Sequence, residues 1–92
     1  MYTAYYFAHD YECELVKGYL EEEITKENLI DSLESSGLLT DGGYHTYEAK
    51  PWGNNDRITK TNYRAPKGSH WVISVNQGLG YVGVTLVEEG DL

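Results

Sequence analysis

Two runs near the C-terminal end constrain the fold most. Trp71-Val72-Ile73-Ser74-Val75 is the most strand-like stretch of the chain, and Tyr81-Val82-Gly83-Val84-Thr85-Leu86-Val87 follows it closely. Both are rich in β-branched and aromatic side chains, which suit a pleated, half-buried surface. Asn76-Gln77-Gly78 between them is turn chemistry. A chain with such a pair must build an antiparallel sheet around it.

The rest of the sequence supplies the other parts of an α+β domain. Thr3 to Ala8 reads as a first strand, and His9-Asp10 as a turn. Tyr11-Glu12-Cys13-Glu14-Leu15 alternates strictly, so it reads as a second, half-buried strand. Tyr11, Leu15 and Tyr19 also lie four apart, which keeps a helix open as the rival reading. The clearest helix spans about residues 25–37. Thr25 is a good N-cap, Glu27 puts negative charge in the first turn, Leu29, Ile30 and Leu33 form an apolar stripe, and Gly37 is a natural stop. Asp41-Gly42-Gly43 is a turn; Tyr44 to Ala49 and Arg57 to Tyr63 are further strands, separated by Pro51 and the polar turn Trp52 to Asp56. The expected order is ββαββββ: one domain over 1–92, with five to six antiparallel strands and one helix packed on them.

Length and cysteine use narrow the class. At 92 residues the chain buries only about two-thirds of its unfolded surface, so its core is modest. Aromatics make up 13% of the residues, too many for a disordered chain. Cys13 is the single cysteine, which excludes an internal disulfide framework. The first ten residues lack a basic region and a long apolar run, and no stretch approaches the ~18 apolar residues of a membrane span. The expected location is the cytoplasm, of a cell or of an infected host.

The net charge of −8 is unevenly placed. Residues 1–48 hold eleven acids and two bases, residues 49–87 hold one acid and five bases, and Glu88, Glu89 and Asp91 close the chain. Such a chain repels nucleic acid over its N-terminal half and attracts basic surfaces there. Within the helix Glu27, Asp31 and Glu34 stand at i, i+4 and i+7, roughly 4.5–6 Å apart along one face. Glu21-Glu22-Glu23 extends the charge. A row of carboxylates at near-phosphate spacing resembles nucleic acid to a protein that binds it. These six acids are the expected partner-binding residues.

Other patterns carry less chemistry. Gly78-Leu79-Gly80-Tyr81-Val82-Gly83 fits G-x-G-x-x-G, but a strand follows where the phosphate-binding motif needs a helix N-terminus. A hairpin turn, plus a glycine that admits a close neighbour, accounts for it. His9, Cys13, His45 and His70 lack metal-ligand spacing, and no metal or cofactor is expected. Glu12 and Glu14 would share a strand face as a carboxylate pair about 7 Å apart, with no companion. Lys50 to Lys67 interleaves bases with Trp52 and Tyr63, a composition that stacks on single-stranded nucleic acid, although intramolecular pairing with the acidic half uses the same residues.

The leading expectation is a non-catalytic, acidic protein inhibitor or adaptor. Its partner is a protein with a basic surface, such as the nucleic-acid site of a host enzyme; direct nucleic-acid and membrane binding are not expected. In size and charge the chain resembles phage-encoded inhibitors of restriction and CRISPR enzymes. Two alternatives stand beside this: a small enzyme or ligand-binding domain using His9, His45 or His70, and an assembly subunit with tyrosine-rich strand one as an oligomer edge.

Overall fold

The computed structural model of the protein describes residues 2–8, 14–39, 44–53 and 55–88. In chain order the elements are β1 (Tyr2–Ala8), α1 (Glu14–Leu20), α2 (Lys26–Ser35), β2 (Tyr44–Tyr47), β3 (Arg57–Thr61), β4 (Ser69–Asn76) and β5 (Tyr81–Glu88). The five strands form one sheet in the order β2-β1-β5-β4-β3, with every neighbouring pair antiparallel. The α+β class and the antiparallel sheet follow the sequence reading. The order βααββββ corrects it: the expected second strand gives way to a second helix.

That helix has a clear physical basis. Alternation over five residues favours a strand, but the longer stretch places Val16, Tyr19 and Leu20 at i, i+3 and i+4, and all three are buried. Glu14 therefore stands in the first turn of a helix and not on a strand face. Glu12, Cys13, the His9-Asp10 turn and the Asp41-Gly42-Gly43 turn lie outside the described residues.

Helix α2 matches its expected limits. The Thr25 hydroxyl accepts a hydrogen bond from the Asn28 N–H at 3.1 Å, the usual role of an N-cap. Just past the other end Gly37 adopts φ 71°, the left-handed stop. Leu29, Ile30 and Leu33 are fully buried. They join Val16, Tyr19 and Leu20 against the sheet face formed by Tyr5, Trp71, Ile73, Val75, Val82 and Val84. Cross-strand pairing puts these sheet residues on one side, since directly opposed residues point the same way.

The opposite face of the sheet is also covered. Ala4, Val72, Ser74, Thr85 and Val87 alternate with the residues facing the helices, and all are buried. Their cover is the connection from β2 to β3, which starts at one edge of the sheet and ends at the other. This strap, described at residues 48–53 and 55–56, packs Trp52 edge-on to Tyr2 at 5.6 Å. Farther along, Asn55 Oδ1 accepts hydrogen bonds from Tyr81 at 3.2 Å and Asn76 at 3.5 Å.

Gly83 lies on the same face, and its glycine has a purpose. A Cβ there would sit 3.0 Å from Ser74 Oγ and 3.3 Å from the Tyr6 ring. A side chain there would push the Tyr6 ring and the Ser74 hydroxyl back by a few tenths of an ångström, so the glycine lets the ring lie close over the strand. Gly78 and Gly80 belong to the β4–β5 turn, where Gly80 adopts φ 71° and donates to Asn76 O at 2.8 Å. The G-x-G-x-x-G spacing is thus a hairpin turn followed by a ring platform.

Two measurements check this packing. Leu33→Ala should cost about 2–5 kcal/mol of unfolding free energy in denaturant titration, the range for a packed core leucine. Tyr6 contacts both Tyr47 and Tyr81 edge-on. Burial first, then the hydrogen bond with Tyr47 and the neighbouring phenols, hold the Tyr6 hydroxyl above its ordinary value. Above pH about 10 the native state therefore keeps a proton that the unfolded chain has lost. The contribution is fully present below that pH and falls away as pH rises through the folded value. In an ultraviolet phenolate titration one tyrosine should ionise late, and Tyr47→Phe should bring it earlier.

Candidate protein-binding surface

The acidic residues of the helical layer fall into two groups, those paired to a cation and those left open. Glu21, Glu22 and Glu23 terminate α1. The Glu23 N–H donates to Gly18 O at 2.8 Å and the Glu22 N–H to Tyr19 O at 3.1 Å. This is a Schellman ending, in which Glu22 occupies the left-handed position at φ 61°. Glycine is usual there. Here Arg57 from β3 reaches the same corner: Nη1 meets Glu22 Oε1 at 2.9 Å, and Nη2 donates to Tyr19 O at 2.8 Å and Leu20 O at 3.2 Å. Its guanidinium also stands over the Tyr19 ring at 5.3 Å, a cation–π contact. Gln77 from the β4–β5 turn adds a donor to Leu20 O at 2.9 Å. A cation and an amide from the sheet thus satisfy the negative end of α1.

The α2 acids are held in a comparable way. Arg64 follows β3, adopts φ 55°, and brings Nε to 2.6 Å from Asp31 Oδ1 and Nη1 to 3.6 Å from Glu34 Oε2. Tyr63 donates its hydroxyl to Asp31 Oδ2 at 3.1 Å. Glu27 lies 3.3 Å from Lys26 Nζ, and its own backbone N–H, followed by Lys26, keeps its carboxyl below the ordinary carboxylate range. The side chains of Glu27, Asp31 and Glu34 are 43%, 41% and 46% exposed, so the row faces solvent, but each member already has a cationic neighbour.

Glu14, Glu21 and Glu23 are different. All three are exposed, and none has an ion-pair partner among the described residues. With Lys17, Gly18 and Ile24 they line a hollow of about 370 Å³ at the α1–α2 corner. Of the six acids expected at the surface, Glu21 and Glu23 are therefore the open ones, and Glu14 joins them because α1 is a helix. A Cβ at Gly18 would lie 3.4 Å from the Ile24 side chain, in ordinary contact, so the corner does not require that glycine.

The two described histidines do not gather. His9 lies outside the described residues, and His45 and His70 stand on β2 and β4. Three interstrand steps separate those strands, about 14 Å across the strap face. His45 is exposed. His70 borders a cleft of about 160 Å³ that also involves Lys50, Trp52 and Lys60 and has no carboxylate among its described lining residues. Strand β1 lies between β2 and β5, with β2 pairing Tyr2 to Tyr5, so the sheet edges are β2 and β3. Among the described residues no helix is long and apolar enough to cross a membrane, and no group of three or more His, Cys, Asp or Glu is placed to hold a metal.

No protein-family model matches the chain, and comparison with the curated proteins and with the solved structures finds no match.

The paired corner makes a stability prediction. Arg57→Ala removes a cation that bonds two helix carbonyls in a partly buried setting and should cost about 1–3 kcal/mol. Glu22→Gln removes only the exposed partner and should cost less than about 1 kcal/mol. Chemical denaturation of both variants measures the difference. Equal losses would show that the ion pair, and not the carbonyl cap, holds the corner.

Proposed function

We propose that the protein is a non-catalytic binding module whose helical layer docks on a basic surface of another protein, of the kind that holds nucleic acid in a host enzyme. The observation that carries this reading is the trio Glu14, Glu21 and Glu23, exposed and in no ion-pair contact among the described residues, set around one hollow that holds a single cation, Lys17. Solvated carboxylates next to each other repel, and a partner's lysines or arginines relieve that repulsion on binding. The neighbouring Asp31 and Glu34 add to the negative field, but Arg64 already screens them. The centre of the binding surface is therefore the α1–α2 corner, with α2 at its margin. An inhibitor that occupies a nucleic-acid site is the finer form of the same reading.

Steering between opposite fields gives fast association that weakens as salt rises. Capture of the partner on the immobilised protein, followed by binding at low and high ionic strength, tests the mechanism; an affinity indifferent to salt would count against it. The residue test is charge reversal. Glu14→Lys, Glu21→Lys and Glu23→Lys together should leave the fold intact, because exposed substitutions change stability by within about 0.5 kcal/mol each. Partner binding should drop by several kcal/mol. Reversing Asp31 and Glu34 should have the opposite profile, a smaller loss of binding and a measurable loss of stability, since each new lysine would face Arg64.

A further inference from the structure

We propose that the strap face carries a second binding site, for a small planar anion: one aromatic ring bearing a phosphate or a carboxylate. The site is the cleft where the strap passes over the sheet beside the start of β1. It lies on the side of the sheet away from the helices and does not depend on the acidic surface.

The floor is built by register. Tyr2 pairs with Val87, Val87 with His70, and Val72 with Lys60, so four strands bring their strap-face side chains into two adjacent rows. Val72 and Val87 are 0% and 3% exposed and make an apolar base. Trp52 and Tyr2 meet edge-to-face at 5.6 Å and form an aromatic wall. Lys50, Lys60 and His70 complete the lining. An apolar base beside an aromatic wall accepts a ring, and ammonium groups at its border accept an anion.

Charge makes the cleft unusual in this molecule. The chain carries −8, yet the described residues of this lining include two lysines and no carboxylate. The two arginines of the same basic segment are used up in ion pairs with the helices, whereas Lys50 and Lys60 are exposed and have no ion-pair partner among the described residues. Strand alternation directs Glu88 to the helix side, away from Val87.

Size and field choose the ligand class. The cleft volume is about 160 Å³. That corresponds to roughly five waters and is well below the ~300–1,000 Å³ of drug-sized sites, so the cleft admits one ring. A long polyanion would meet the net negative field of the whole protein, whereas a single small anion meets mainly the two local lysines.

Nuclear magnetic resonance titration with four probes tests this: phenyl phosphate, benzoate, phenol and inorganic phosphate. Phenyl phosphate, benzoate or both should give saturable shifts at the Trp52 indole N–H and at His70, with none at the buried Trp71 indole. The ring-bearing anion should bind more tightly than either phenol or inorganic phosphate. Whichever of the two anions binds better identifies phosphate or carboxylate as the charged group. Lys50→Glu and Lys60→Glu should each weaken binding about tenfold, the loss of one charged contact, with unchanged circular dichroism. Lys50→Gln and Lys60→Gln serve if a reversal disturbs the fold. The proposal is overturned if neither anion gives a saturable shift at Trp52 up to millimolar concentration. It is also overturned if phenol or inorganic phosphate binds as tightly as the better anion, or if the lysine variants bind like the original protein.

Discussion

Strand β4 cannot face water on either side. From Trp71 to Val75 every residue is buried, with Trp71, Ile73 and Val75 turned to the helices and Val72 and Ser74 turned away. A sheet built around such a strand has to be closed on both faces, and a chain this short has little material to do it. Two helices of seven and ten residues close one face. The strap closes the other, pinned by Trp52 at one end and Asn55 at the other. The placement of β2 and β3 at opposite edges follows, because the strap must cross the whole sheet to cover it.

The basic segment then has two fates, decided by residue type and by face. Arg57 and Arg64 turn to the helices, where planar guanidinium groups reach carbonyl and carboxylate oxygens together. Lys50 and Lys60 border the strap-face cleft and stay in solvent. What reads in the sequence as a basic region opposed to an acidic one becomes, in space, two clamps between layers and one cationic cleft. Among the described residues the non-glycine positions with positive φ, Glu22 and Arg64, sit at those clamps. The strain of each conformation is offset by contacts that a glycine could not make.

Much of this was legible in the residues. Helix α2 could be read because its signals are local: a capping Thr25, a buried stripe and a Gly37 that ends it. All five strands could be read for the same reason, although Tyr44 to Ala49 is shorter as β2 and Arg57 to Tyr63 ends sooner as β3. Helix α1 was hidden because its ending uses Glu22 where glycine is the usual marker, and because five alternating residues outweighed the longer period running to Leu20. The six surface acids do lie on the helical layer, but nothing local in the sequence says that Arg64 will stand against Asp31 and Glu34 from another element. The cleft was equally hidden, since Tyr2, Lys50, Lys60 and His70 meet only through sheet register and the path of the strap.

The pairing of β1 with β5 has a consequence for how the chain comes to be folded. Tyr2 lies opposite Val87 and Ala8 opposite Tyr81, so a central strand made early is completed by one made at the far end of the described chain. During synthesis β1 emerges without the neighbour that buries Ala4 and Tyr5, and β2 alone, four exposed residues long, is a poor substitute. The sheet therefore closes only after β5 is released, and loop closure between distant segments sets the pace. Until then the aromatic first strand is a sticky, unpaired edge, and the nascent protein depends on speed of completion, or on a chaperone, to reach its native state.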